Sequence, residues 1–288
     1  MESKFVQTSD IRLHYLEWPG DGPPVVMLHG TGLCAQTWTP IAEALSSRFR
    51  VLAMDLRGHG ESDKPQGQYR WEQVAGDLPA FIDAMELDNV ILVGHSRGGG
   101  VAVFGGAQRH ERISGVVLVE PTISFGPRPG SVSADGRKVN PMAERALKRR
   151  PVWASREQLF QSYHSRDPFK SWRVDTLRAY IEGGTRIRED GKVELQCAPQ
   201  VEAQFYDGDI PSWMIDGVSH LKCPLLLVTR ASNHPFILDS PVLHTLKENA
   251  PAFRHIMVPH AGHFVPEEQP DAVVSAIREF LGATALSA

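Results

Sequence analysis

Over the first 120 positions, short runs of uniformly apolar residues alternate with longer stretches of helical spacing. VVMLH (25–29), RVLAMD (50–55), VILVG (90–94) and GVVLVE (115–120) have the length and the β-branched content of strands buried on both faces. Between them, WEQVAGDLPAFIDAMEL (71–87) brings Trp71, Val74, Leu78, Phe81, Ile82 and Met85 onto one helical face, and a further helix fits about 36–47. Ahead of these, 4–8 and 11–18 alternate apolar and polar positions around Ser9-Asp10, the pattern of a hairpin. Strand–helix–strand alternation of this kind predicts a parallel sheet with crossover helices.

Pro127, Pro129 and Gly130 end the alternation and open a charged, interrupted stretch that runs to 222. Helices are expected near 141–149, 156–164 and 171–182, with no strand of the core kind. PLLLVT (224–229) and FRHIMVP (253–259) resume the strands, and a closing helix fits 270–281. The expected architecture is therefore an α/β core made of 1–126 and 223–288, with 127–222 inserted as a helical cap over the carboxyl edge of the sheet.

The 288-residue chain has a formal charge of −4, so no basic excess points to nucleic acid or anionic membrane as partners. No apolar run approaches the roughly 20 residues needed to span a bilayer. The opening MESKFVQTSD lacks the apolar stretch of a signal peptide. Cys34, Cys197 and Cys223 are odd in number and have no CxxC spacing, which fits free thiols and a cytoplasmic location. The twelve histidines form no HExxH pair or Cys/His cluster, so no metal is implied.

Candidate chemistry begins where VILVG runs into Gly94-His95-Ser96-Arg97-Gly98, a G-x-S-x-G motif between a strand and a helix. A nucleophile on so sharp a turn adopts a strained backbone and requires small neighbours two positions away on each side. The helix N-terminus behind it favours developing negative charge, and the N–H of Arg97 is an oxyanion donor. A serine hydroxyl is a weak nucleophile and needs a base, for which histidine is suited near neutral pH.

VMLHGTGL (26–33), MDLRGHGESD (54–63) and VPHAGHFVPEEQP (258–270) accompany the motif. With these, the chain resembles the α/β-hydrolase superfamily over nearly its full length. The resemblance implies Ser96 as nucleophile, the N–H of Thr31 as the second oxyanion donor and His263 as base. His255 and His260 are its nearest rivals. It also makes the DLRGHGESD loop structural, despite Asp55, His59, Glu61 and Asp63.

The third triad member departs from the common pattern. Superfamily members usually carry the acid just after the strand matching PLLLVT, where this chain has Asn233. Three solutions are open. Glu120 ends the strand after the nucleophile helix, as in certain haloalkane dehalogenases and the zearalenone lactonases, whose corresponding segment the Glu120-Pro121-Thr122 run resembles. Asp239 could bend back from the loop after PLLLVT. Asn233 could orient the ring, but an amide stabilises imidazolium less well than a carboxylate.

The expected function is hydrolysis of a carboxylic ester or lactone through an acyl-enzyme, on a medium-sized apolar substrate. Cap aromatics such as Trp153, Tyr163, Phe169, Trp172 and Tyr180 could line its pocket, although helix packing explains most of them. One alternative is a carbon–carbon bond hydrolase of the meta-cleavage type; another is a small-molecule receptor on the same fold. No cofactor is implied, because the protein itself supplies proton transfer and oxyanion binding. A homodimer stays open.

Overall fold

The computed structural model describes residues 1–67, 69–123, 131–132, 138–207, 211, 213–231 and 241–284. In chain order the main elements begin with β1 (Glu2–Gln7), β2 (Arg12–Trp18), β3 (Pro24–Leu28), α1 (Thr39–Leu45), β4 (Arg50–Met54) and α2 (Trp71–Ala84). They continue with β5 (Val90–His95), α3 (Arg97–Gln108), β6 (Ile113–Val119), α4 (Pro141–Leu147), β7 (Val152–Trp153), α5 (Arg156–His164) and α6 (Val174–Gly183). Then come β8 (Thr185–Ile187), β9 (Val193–Leu195), α7 (Pro199–Tyr206), α8 (Trp213–Ser219), β10 (Leu225–Arg230), α9 (Pro241–Asn249), β11 (Phe253–Val258) and α10 (Pro270–Thr284).

Eight strands form one sheet in the order β1-β2-β4-β3-β5-β6-β10-β11. The β1–β2 hairpin is antiparallel, as is the β2–β4 pairing, and all later pairings are parallel. This is the α/β fold expected from the sequence. Its uniformly apolar strands serve two cores at once, because successive side chains leave opposite faces. Val90 and Leu92 of β5 join the cluster beneath α2, α3 and α8, whereas Ile91 and Val93 join the cluster covered by α1 and α10. Val116 and Leu118 against Val117 and Val119 repeat the division on β6.

The segment between β6 and β10 differs from the expected helical cap in two ways. It contains a three-stranded antiparallel sheet, β8-β9-β7, whose strands of two and three residues are too short to leave a periodic signature. Moreover, α8 packs on α3, with Met214 and Val218 inside the core cluster of the main sheet, so this part of the 127–222 stretch sits with the core. The cap proper has its own apolar centre, built from Trp153, Leu159, Tyr163, Trp172, Leu177 and Tyr180, and it rests on Leu33 and Cys34 of the loop after β3. Most of the cap aromatics are thus packing residues. The three cysteines are buried and free. Among the described residues, no helix is long and apolar enough to cross a membrane.

The strand order creates the place for a site. The chain leaves β3 for β4 on one side and returns past β3 to β5 on the other, so the loops after β3 and β5 part at the carboxyl edge and leave a crevice.

Candidate active site

Ser96 follows β5 and precedes α3 with φ 51° and ψ −116°, a left-handed conformation that a non-glycine residue adopts at a cost of about 1–3 kcal/mol. The neighbouring glycines permit it. A Cβ on Gly94 would lie 2.3 Å from the Gly98 carbonyl oxygen, and one on Gly98 would lie 2.1 Å from that of Leu28. Both obstacles are backbone. Gly98→Ala must therefore push α3 away from β3, and a loss of about 1–3 kcal/mol or more is expected, read as a lower midpoint in thermal or urea denaturation. An unchanged midpoint would contradict the close approach.

His263 lies in the loop after β11 with Nε2 3.0 Å from Ser96 Oγ, so the hydroxyl can donate to the ring. Its Nδ1 faces Glu120 Oε2 at 3.3 Å. Glu120 sits just past β6, also at positive φ (44°), with its side chain 3% exposed. Its other oxygen accepts from the Arg230 backbone N–H (2.8 Å), and the Arg230 guanidinium stands 3.7 Å from Oε2. Burial alone would raise the pKa of this carboxyl. The hydrogen bonds from His263 and the Arg230 N–H, with the positive charge nearby, outweigh burial and hold it below the ordinary glutamate range. Ser96, His263 and Glu120 thus come together in one hydrogen-bonded chain. Asp239 and Asn233, the other candidates for the acid, lie outside the described residues.

The rival histidines are elsewhere. His255 is on β11 with Nε2 2.9 Å from Thr229 Oγ1, and His260 is an exposed turn residue at φ 57°.

Arg97 is the first residue of α3, so its N–H belongs to the helix's N-terminal set, which has no partner within the helix. The Arg97 side chain is held among the residues behind the turn. It is buried, donates to the Phe205 carbonyl and lies over the Trp71 ring at 3.6 Å. On the other wall, Gly30 approaches Ser96 so closely that a Cβ on it would be 3.2 Å from the serine Cβ, which brings the start of the Thr31 loop beside the nucleophile.

The DLRGHGESD loop supports that wall. His59 Nε2 accepts from the Gly32 N–H (2.9 Å), while its Nδ1–H donates to the Arg57 carbonyl (3.0 Å). Burial, together with the nearby His29, keeps His59 well below its ordinary pKa, which suits a ring that must accept. Asp55 takes hydrogen bonds from His14 Nδ1 and from the N–H groups of Ala35 and Glu61. These contacts are scaffolding, the role expected for this loop.

Sequence reasoning passed over His95, the residue between Gly94 and Ser96. It is fully buried, and its Nε2–H donates to the His263 carbonyl (3.0 Å). Glu267, also buried, faces its Nδ1 at 3.5 Å. Although burial opposes a charge here, Glu267 raises the pKa of His95, so the pair acts as a brace under the His263 loop. Its signal in the sequence was only that a polar residue stood where the interior begins.

Comparison with known proteins identifies the kinship of the chain. The chain is 27% identical over 286 residues to 2-(acetamidomethylene)succinate hydrolase of Mesorhizobium japonicum, covering 98% of this chain and 95% of that one. It is 26% identical over 295 residues to N-formylmaleamate deformylase of Pseudomonas putida, covering 96% and 95%. The crystal structure of an E-2-(acetamidomethylene)succinate hydrolase superposes with a TM-score of 0.78 at 25% identity, over 98% of this chain and 99% of that one. Residues 25–276 match the profile of the Alpha/beta hydrolase family, and the chain, a hydrolase in fold and in kinship, belongs to that family.

Proposed function

We propose that the protein is a serine hydrolase that cleaves a carboxylic ester or lactone through an acyl-enzyme on Ser96. The observation that carries this reading is the continuous path from Ser96 Oγ to His263 (3.0 Å) and on to Glu120 (3.3 Å) at a strained strand–helix turn. In this account Ser96 attacks the acyl carbon while His263 takes its proton. The oxyanion is met by the N–H groups of Thr31 and Arg97, each such donor contributing about 3 kcal/mol in the transition state. His263 then protonates the leaving oxygen, and water repeats the sequence to release the acid. Glu120, ionised and held by Arg230, stabilises the imidazolium. The distance from His263 to Glu120 is long for a charge-assisted bond, as is common before substrate is bound.

A second reading is cleavage of an acyl–nitrogen bond by the same groups, with His263 protonating a leaving nitrogen. It is favoured by two of the relatives that align over nearly all of both chains, one named for an acetamido compound and the other for removing a formyl group from a maleamate.

Steady-state assay on matched 4-nitrophenyl esters, lactones and N-acyl compounds tests both. Multiple turnovers on the oxygen esters or lactones, exceeding those on the N-acyl series, are expected. The reverse order supports the second reading. A single slow burst followed by arrest would sink both in favour of a receptor.

A further inference from the structure

The expected pocket for an apolar substrate has a different character on one side. A cavity of about 430 Å³ opens between the cap and the loop after β3, a volume suited to a small ligand. Thr31, Gly32 and Phe264 form its inner wall, beside the proposed oxyanion donor and next to His263. Five cationic side chains line it: Arg145, Lys148, Arg149, Arg150 and Arg166. Two carboxylates, Asp167 and Glu202, are also in the lining. The whole chain carries 34 acidic against 30 basic residues, so this excess of positive charge is local.

Both carboxylates are already engaged. Asp167 pairs with Lys170 at 3.0 Å, and Glu202 pairs with Arg149. Arg149 is further fixed by the hydroxyls of Tyr163 (3.0 Å) and Tyr180 (2.9 Å), and a Cβ on Gly32 would lie 3.3 Å from its Nη1. The arginine is therefore a rigid floor one residue from Thr31. Arg150 donates to the Val152 carbonyl and lies over Trp153. Among the described residues, Arg145, Lys148 and Arg166 enter no ion pair, and Arg166 only lies over the Tyr163 ring at 4.9 Å. Like charges gathered around one concavity repel each other when it is empty. They focus the field on an anion that enters, and guanidinium groups match the planar fork of a carboxylate.

Resting on the serine-hydrolase reading above, we propose that this cavity holds a carboxylate on the substrate, bound by Arg145 and Arg166 above the fixed Arg149. The substrate is then an acyl compound with a second, ionised carboxyl group a few carbon atoms from the scissile carbonyl. The carbonyl sits at Thr31 and Ser96, the short chain crosses the Gly32 wall, and the charged end meets the arginines. The aromatic rings of Tyr163, Phe169 and Phe264 pack the intervening carbons.

Mono-4-nitrophenyl glutarate and its methyl ester differ only in whether the distal carboxyl is charged. The enzyme is expected to show a kcat/KM at least about tenfold higher for the charged ester, the size of one charge-assisted hydrogen bond. In Arg145→Gln/Arg166→Gln the ratio between the two esters should fall toward one. Because it is taken within one preparation, partial misfolding cancels. Calorimetric titration of Ser96→Ala with the same two esters reads binding without turnover, and only the charged ester should bind measurably. Hydrolysis of both esters at equal kcat/KM, with equal binding, overturns this inference and leaves the hydrolase reading standing. Selective binding of the charged ester without turnover does the opposite. Absence of both turnover and binding overturns the two together.

Discussion

Ser96→Ala is expected to lower kcat by about a million-fold while leaving the folded state intact. Removing the nucleophile of an interdependent serine–histidine pair disables the whole unit, and losses of this order are typical when either member is deleted. What remains is the oxyanion hole and substrate binding, about a thousand-fold or more above the uncatalysed rate. The substitution also removes a γ-oxygen from a residue at φ 51°, but alanine at that position carries the same backbone strain, so stability should change little. The check is a progress curve at high enzyme concentration beside a melting curve of the same sample. Retained activity of even one part in a hundred, with Ser96 verified as absent, would point to a different nucleophile.

Glu120→Gln should reduce kcat by about ten-thousand-fold with a smaller effect on KM. The amide can still accept from the Arg230 N–H, now received at 2.8 Å, so the strand end should keep its shape. What disappears is the negative charge opposite His263 Nδ1, needed only when the ring becomes imidazolium. The same charge links activity to stability. The folded-state pKa of Glu120 is depressed, so its contribution to stability is complete above the ordinary glutamate value of about 4.3 and is lost as pH falls through the lower, folded value. Glu120→Gln should therefore lose stability relative to the parent at pH 6–7, and the gap should narrow steadily below about pH 4. Urea denaturation at several pH values reads this directly. A gap that widened on acidification would mean that Glu120 is protonated in the folded protein and cannot serve as the acid.

Much of this is written in local pattern. Runs such as VILVG and GVVLVE have the length and β-branched content of strands covered on both faces, and their division between two cores follows from side-chain alternation. Gly94 and Gly98 announce the turn because the backbone there touches backbone. Glu120 was one of three solutions that the sequence left open, suggested because a charged residue ends an otherwise apolar strand while the position after PLLLVT holds an asparagine. Other features lack a local signature. Strands of two or three residues, such as β7 and β8, exist through their partners in the cap sheet. The seven residues of α8 are too few to display a period, and only contact with α3 shows which layer they join. The basic cavity is the strongest case. Arg145, Lys148, Arg149 and Arg150 look in sequence like the solvated face of a cap helix. Their shared concavity with Arg166 depends on how α4, α5 and the loop after β3 are brought together.

In the proposed mechanism Ser96 forms a covalent acyl-enzyme with His263 as its base. The most direct measurement is peptide mass spectrometry after exposing the folded protein to a fluorophosphonate. One adduct per chain is expected, on the peptide containing Ser96, its formation strongly slowed by His263→Ala and abolished by unfolding. Sustained hydrolytic activity in protein carrying no adduct at Ser96 would contradict it.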